Sequence, residues 1–101
     1  MTHVAQGTHS TVFTPETDVV ASNAQELRTT LLECIDGGQY HIVIDLQHVA
    51  MVDSSGLGVF IATHNSVKAQ GGALRVTNVS PDIFRLFQVM RLDQHFAVEG
   101  R

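Results

Sequence analysis

The sequence predicts an α/β fold: a single domain in which helices pack on a mixed β-sheet. Short β-branched runs alternate with longer segments whose apolar residues have helical spacing, as expected for strands joined by helices. Glycine pairs at residues 37–38 and 71–72 end two of the helical segments. A length of 101 residues suffices for one hydrophobic core and is too short for two, so residues 1–101 are expected to form one domain.

The first part of the chain predicts a hairpin followed by a helix. Residues 2–6 and 9–14 carry alternating or β-branched character on either side of a glycine, which is typical of two antiparallel strands. The helix is predicted to run to about Asp36. Ser22 can cap its start and Gln25, three residues later, can complete a capping box.

The rest of the chain alternates strand and helix. The predicted elements are a strand at 40–46, a helix from Asp53 or Ser54 to Gln70, a strand at 73–77, a helix from Ser80-Pro81-Asp82, and a strand at 96–98. The run at 41–46 has the composition of a strand covered on both faces. The last helix is expected to carry Ile83, Leu86, Phe87 and Met90 on one side. Short connections between such elements favour parallel neighbours with right-handed crossovers.

Composition and charge exclude several functional classes. The formal net charge is −4 and the six Lys and Arg residues are scattered, so no nucleic-acid partner is expected. No apolar run approaches the roughly 20 residues that span a bilayer, and no signal peptide is recognisable, so we expect a cytoplasmic protein without a membrane partner. The single cysteine cannot form an internal disulfide, which fits a reducing compartment.

The most informative stretch is Asp53-Ser54-Ser55-Gly56-Leu57-Gly58, where a strand signal meets a helical one. A hydroxyl at such a helix start lies among backbone N–H groups that lack intrahelical partners, at the positive end of the helix dipole. Such a place favours a phosphate. From spacing alone, Ser54 is either a phosphoacceptor or a plain helix cap, and Asp53 either orients its hydroxyl or caps the helix.

This stretch, preceded by Val49-x-Met51-Val52, resembles the signature of bacterial STAS-domain anti-sigma factor antagonists. The likeness extends from about residue 10 to the end through Asp18–Asn23, Ile44–Leu46, Gly71–Leu74, Asn78–Pro81 and Met90–Asp93. It implies that Ser54 is phosphorylated by a cognate anti-sigma factor with serine kinase activity. It also implies that the unphosphorylated chain binds that kinase and that a separate serine phosphatase restores the phosphorylated form.

Around Ser54, several residues are candidates for partner binding, each with a simpler alternative. Gly56 and Gly58 either keep the corner bare for a partner or allow close packing inside the domain, and Leu57 is either core or a contact. Polar residues at the same end of the sheet are by default solvated. The full candidate set is Asp53, Ser55, Gly56, Leu57, Gly58, Asn23 and Asp45.

No enzymatic, metal or cofactor chemistry is expected. The chain lacks a Walker-type or kinase glycine-rich loop, so in phosphoryl transfer it would be substrate, not enzyme. Ser54 lacks a Gly-x-Ser-x-Gly elbow for a hydrolase, and the six histidines include no i, i+4 pair for a metal. A second hypothesis is an accessory STAS subunit that docks permanently on a transporter or signalling scaffold, without a phosphorylation cycle.

The resemblance also implies a further helix after the last strand, which the sequence lacks because it stops at Arg101. We therefore expect the final helix of the family to be absent here. Either that helix is dispensable, or its place on the sheet is exposed, or the sequence is shortened.

Overall fold

The computed structural model describes residues 2–7 and 10–101. Within these residues the elements are β1 (Thr2–Gln6), β2 (Thr11–Pro15), α1 (Ala21–Asp36), β3 (His41–Asp45), α2 (Ser54–Ala69), β4 (Ala73–Val79), α3 (Pro81–Val89) and β5 (Ala97–Gly100). A 3₁₀ turn, which the sequence did not indicate, lies at Leu92–Gln94 between α3 and β5. The predicted start of the second strand at residue 9 lies outside the described residues.

The five strands form one sheet in chain order, β1-β2-β3-β4-β5. β1 pairs antiparallel with β2, and every other neighbouring pair is parallel. The predicted α/β fold with a mixed sheet and an antiparallel first hairpin is therefore confirmed. Because all three crossovers step in the same direction, the right-handed rule places all three helices on one face of the sheet.

The hydrophobic core lies between that face and the helices. Ile42 and Ile44 of β3 are buried, whereas Val43 between them is only partly buried. The prediction that this strand is covered on both faces is therefore wrong, because the helices leave the second face of the sheet uncovered. On the helix side of the core, α2 and α3 contribute the T-shaped aromatic pair Phe60 and Phe87, whose ring centroids are 5.7 Å apart.

Two of the three predicted helix starts are confirmed. α2 begins at Ser54, and α3 begins at Pro81 with the Ser80 hydroxyl accepting the Ile83 N–H at 3.3 Å. Met90, expected on the same side of α3 as Ile83 and Phe87, follows the last helical residue and is 51% exposed. In the described part of the chain, no helix combines the length and apolarity needed to cross a membrane.

The predicted capping box of α1 at Ser22 and Gln25 is wrong. The N-cap is Val20, two residues earlier, so the helix begins at Ala21, and the Asn23 side chain accepts the N–H of Val20 at 2.9 Å. The reason is non-local: Val19 is held in a parallel bridge to Val52, so the chain must turn into the helix directly after it.

Candidate functional site

The candidate site is the corner between β3 and α2, at the carboxyl end of the parallel strands. The chain leaves β3 at Asp45, crosses a loop, and enters α2 with Asp53 as the N-cap and Ser54 as the first helical residue. Ser54 and Ser55 are both exposed. The hydroxyl that the sequence singled out therefore lies on the surface at the positive end of a 16-residue helix.

The carboxylate of Asp53 joins the starts of two helices. One oxygen, Oδ1, accepts the N–H of Gly56 in α2 at 3.1 Å, and Oδ2 accepts the N–H of Ala21 in α1 at 3.0 Å. The hydrogen bond from Gly56 is the main cause that lowers the pKa of Asp53 below its usual range, with partial desolvation opposing it. Asp53 is thus a charged cap shared by α1 and α2, which fixes the backbone on which Ser54 sits.

A second carboxylate, Asp18, fastens the loop before the corner. Its Oδ1 accepts the backbone N–H groups of Ala50 at 2.8 Å and Met51 at 3.1 Å. Next to it, the Val19 N–H donates to the Met51 carbonyl at 3.1 Å. Asp18 is not among the predicted site residues, because a carboxylate that bonds residues more than 30 positions away leaves no local pattern.

The two glycines of the motif differ in surroundings. A Cβ on Gly56 would lie 2.3 Å from the Val19 carbonyl oxygen and 2.8 Å from Val52 Cγ1, so close packing requires glycine there. A Cβ on Gly58 would meet nothing within 4 Å, and Gly58 is exposed. Leu57 is 7% exposed and belongs to the core. Internal packing thus accounts for Gly56 and Leu57, while Gly58 leaves bare helix surface one turn from Ser54.

Asn23 and Asp45 both lie at this end of the sheet and both make internal hydrogen bonds. Asn23 Nδ2 donates to the Thr17 hydroxyl at 3.2 Å, in addition to its bond to Val20. Asp45 Oδ1 accepts the Asn78 Nδ2 at 2.9 Å. Each side chain is partly buried, so each shapes the surface around the corner and keeps some exposure on it.

Arg101 also supports the corner, and no sequence signal pointed to it. Its Nη2 lies 3.1 Å from the Leu46 carbonyl, 3.1 Å from the Gln47 carbonyl and 3.2 Å from the Val49 carbonyl, and its Nε donates to the Asn78 carbonyl at 3.1 Å. The guanidinium thereby ties the start of the β3–α2 loop to the end of β4.

The arrangement is an exposed alcohol on a braced scaffold. Two helix N-termini converge on Asp53, and the loop before Ser54 is held by Asp18 and Arg101. The Ser54 hydroxyl is therefore accessible from solvent, and these hydrogen bonds fix the backbone that carries it. Within the described ranges, no three His, Cys, Asp or Glu side chains are grouped closely enough to hold a metal ion.

The fold and this motif together define a STAS domain. The family model for the STAS domain matches residues 2–100, so the chain belongs to the STAS domain family. Its relatives include bacterial anti-sigma factor antagonists. An anti-sigma-B factor antagonist of Bacillus subtilis is 40% identical over 70 residues, covering 69% of this chain and 63% of the relative.

An anti-sigma F factor antagonist of Paenibacillus polymyxa is 36% identical over 52 residues, which cover 52% of this chain and 44% of that protein. The chain therefore matches about half to two thirds of the length of these two relatives.

Solved structures share the fold at low sequence identity. An anti-sigma factor antagonist from Mycobacterium paratuberculosis has a TM-score of 0.88 at 22% identity, covering 100% of this chain and 86% of that one. The phosphorylated form of the Bacillus cell fate determinant SpoIIAA has a TM-score of 0.78 at 19% identity, and the match covers 97% of this chain and 90% of that one. The murine solute carrier 26 family member A9 anion transporter contains a similar domain, with a TM-score of 0.76 at 15% identity. The match covers 93% of this chain and 16% of the transporter.

Proposed function

We propose that this chain is an anti-sigma factor antagonist whose docking is switched by phosphorylation of Ser54. The observation that carries the proposal is the exposed Ser54 hydroxyl at the first position of α2, on a corner braced by Asp53. The names of the curated relatives support the antagonist role. The phosphorylated structure of SpoIIAA supports a phosphorylation cycle.

In this proposal, the partner is an anti-sigma factor with serine kinase activity. It binds the unphosphorylated chain, transfers a phosphoryl group to Ser54 and then lets go. A separate serine phosphatase returns the chain to its binding form. The chain itself is the substrate, since nucleotide, metal and positioning base all belong to the kinase.

The switch acts on the interface, not on the fold of the chain. A phosphoryl group adds about −1.5 to −2 charges at neutral pH. The helix N-terminus stabilises that charge by ~0.3 to 1 kcal/mol, and the carboxylate of Asp53 next to it opposes this gain. An uncompensated charge buried in an interface costs several kcal/mol, so phosphorylation abolishes docking while the domain stays folded.

The proposed docking surface comprises the exposed residues around Ser54. Ser55 and Gly58 extend it along α2, and Met51, which is 58% exposed, adds an apolar contact on the preceding loop. Asp53, Gly56 and Leu57 set the position of this surface from beneath, and Asn23 and Asp45 border it. We expect neither a nucleic acid nor a membrane among the partners.

The test begins with capture of the kinase from the native cell by the unmodified chain. Incubation with ATP should then place one phosphoryl group on Ser54, located by mass spectrometry against the adjacent Ser55. With the captured kinase, Ser54→Ala should remain bound in ATP, and Ser54→Asp should bind at least about a hundredfold more weakly.

Thr29→Asp is the matched control, because it adds the same charge at an exposed position in the middle of α1. It should bind like the unmodified chain. Full affinity of Ser54→Asp, or phosphate only on Ser55, contradicts the proposal.

A second candidate function is an accessory domain of a transporter or signalling scaffold. The similar domain within the murine anion transporter favours it. In that case the chain should co-purify with membrane components, and its binding should not respond to ATP. Ser54→Asp would then leave the association unchanged, which separates the two functions in one experiment.

A further inference from the structure

A second candidate site lies at the opposite end of α2 from Ser54. There the last turns of α2, the first residues of β3 and β4, and the segment before β5 enclose a cleft of about 640 Å³. Lys68, which lines it, is fourteen residues beyond Ser54, or about 20 Å along the helix axis. The volume lies within the range of small-molecule sites, roughly 300 to 1,000 Å³.

The charge of the cleft is opposite to that of the molecule. The chain has a formal net charge of −4, yet the charged and titratable side chains along this cleft are all basic: His41, His64, Lys68, Arg75 and His95. They include the only lysine of the sequence and three of its six histidines. No carboxylate is among the lining residues that the structure describes.

Lys68 supplies the available positive charge. Arg75 is already engaged, because its Nε lies 2.6 Å from Oε2 of Glu99. Among the described residues, Lys68 has no carboxylate within ion-pair distance. Its place in the last turn also complements the helix dipole, but that role by itself requires no cleft and no cluster of histidines.

The rest of the lining is largely aromatic and aliphatic. Phe96 is 7% exposed, and its ring lies 5.7 Å from the ring of His64, centroid to centroid. The His95 ring lies 6.1 Å from His64 on the same side. Aliphatic residues complete the lining at Ile42, Val43, Ala73, Leu74 and Ala97. Among the described residues, the lining therefore combines the accessible imidazole rings of His64 and His95 with the Lys68 ammonium group, which forms no ion pair.

The negative end of the α2 dipole would repel an anion here, but two of its carbonyl groups already accept backbone hydrogen bonds. The carbonyl of Val67 accepts the Gly72 N–H at 2.8 Å, and that of Lys68 accepts the Gly71 N–H at 3.0 Å. These hydrogen bonds satisfy two of the last four carbonyls of the helix, and the Lys68 ammonium group in the last turn offsets the negative end of the dipole.

We propose that this cleft binds a small aromatic anion. The aromatic body would stack against the imidazole rings of His64 and His95, and the carboxylate, sulfonate or phosphate would lie against Lys68. The Arg75–Glu99 pair supplies the other charged groups nearby. This proposal does not depend on phosphorylation of Ser54.

The test uses a matched pair of fluorescent probes. 8-Anilinonaphthalene-1-sulfonate carries the anion, and N-phenyl-1-naphthylamine has the same aromatic body without it. The sulfonate should bind saturably to the folded chain and shift the backbone amide NMR signals of residues 64–75 and 95–97. Lys68→Gln should weaken its binding about tenfold, the effect of losing roughly 1.4 kcal/mol, and should leave the binding of the neutral probe unchanged.

Arg28→Gln is the control variant, because it removes one positive charge from an exposed position on α1, outside the cleft. It should bind both probes like the unmodified chain, and a dispersed NMR spectrum should show that each variant is folded. Equal affinity of the two probes for the unmodified chain, unchanged sulfonate binding in Lys68→Gln, or shifted signals outside the cleft would each overturn the proposal.

Discussion

Gly56 and Gly58 stand two positions apart in one helix and are held there by different constraints. A side chain on Gly56 would collide with the Val19 carbonyl, which is backbone and belongs to the bridge between Val19 and Val52. A side chain on Gly58 would extend into open space. Gly58 therefore costs the helix roughly 0.8 to 1 kcal/mol relative to alanine without any gain from packing within the domain.

The same substitution at these two glycines should change stability in opposite directions. Gly56→Ala should lower the free energy of unfolding by about 1 to 3 kcal/mol, because the helix must move away from Val19. Gly58→Ala should raise it by about 0.5 to 1 kcal/mol. Urea unfolding followed by circular dichroism measures both, and each variant serves as the control for the other. Equal shifts would mean that α2 does not pack on Val19 as described.

The carboxylate of Asp53 should make stability depend on pH in the acid range. Its folded pKa is lowered chiefly by the Gly56 N–H, so the folded state favours the charged form. The contribution is fully present above the unfolded pKa, about 3.9, and is lost as the pH falls through the lower folded value.

The matched variant is Asp53→Asn, which keeps the shape of the cap and removes the charge. It should be less stable than the unmodified chain at pH 6, and the difference should shrink between about pH 4 and pH 2. Asp36→Asn, at the far end of α1, is the control for the loss of one carboxylate. A difference that stays constant over this range would refute the shared charged cap.

For single helices and strands, the sequence predicted a boundary correctly when the residues that determine it are neighbours in the chain. Ser80-Pro81-Asp82 fixes the start of α3 through a cap, a proline and a charge within three residues. The start of α1 is set by the bridge from Val19 to Val52, and for that reason the box predicted at Ser22 failed. The exposed second face of β3 was missed for the same reason, since it depends on the direction of three crossovers.

A second pH-dependent prediction concerns His64, in the C-terminal half of α2. Burial is the main cause that lowers its pKa, followed by the positive charges of Lys68 and His95. Because the unfolded state then binds the proton more tightly, stability should rise with pH through the window between the folded pKa and about 6.5. Among the described residues, no carboxylate and no cation other than these two is a cause of this shift.

Lys68→Gln should raise the pKa of His64. It should not return the pKa to the ordinary histidine value, because the burial of the ring remains. NMR titration of the imidazole signals measures this directly, and the pH dependence of stability below about pH 6.5 should become weaker. Arg85→Gln, an exposed cation on α3, is the control and should leave the titration of His64 unchanged. An unchanged pKa in Lys68→Gln would place Lys68 away from the ring.

At the scale of the whole molecule, the candidate site is assembled from three distant parts of the chain. The motif at 53–58 could be recognised from sequence because its residues are contiguous and its glycines and serines have distinctive helix preferences. Asp18 and Arg101, which hold the loop before it, act across more than 30 and more than 50 positions. A single sequence carries no signal for such contacts. Asp18 and Arg101 reach the loop only because strand pairing brings distant parts of the chain together.

Arg101 is therefore expected to control the motion of the β3–α2 loop. Its guanidinium contacts the carbonyls of Leu46, Gln47 and Val49 on one side and of Asn78 on the other. Arg101→Gln removes these contacts and should lower the free energy of unfolding by about 1 kcal/mol, the typical net value of hydrogen bonds that water can partly replace.

The larger effect should be local. Backbone amides at 47–52 should exchange with solvent about tenfold faster in Arg101→Gln, while those in the centres of β3 and β4 keep their protection, because the loop opens without unfolding the sheet. Hydrogen exchange followed by NMR or mass spectrometry resolves the two regions. Arg91→Gln, an exposed arginine beyond α3, is the control. If exchange in the loop is unchanged, Arg101 does not brace the corner, and Asp18 and Asp53 must hold Ser54 in place on their own.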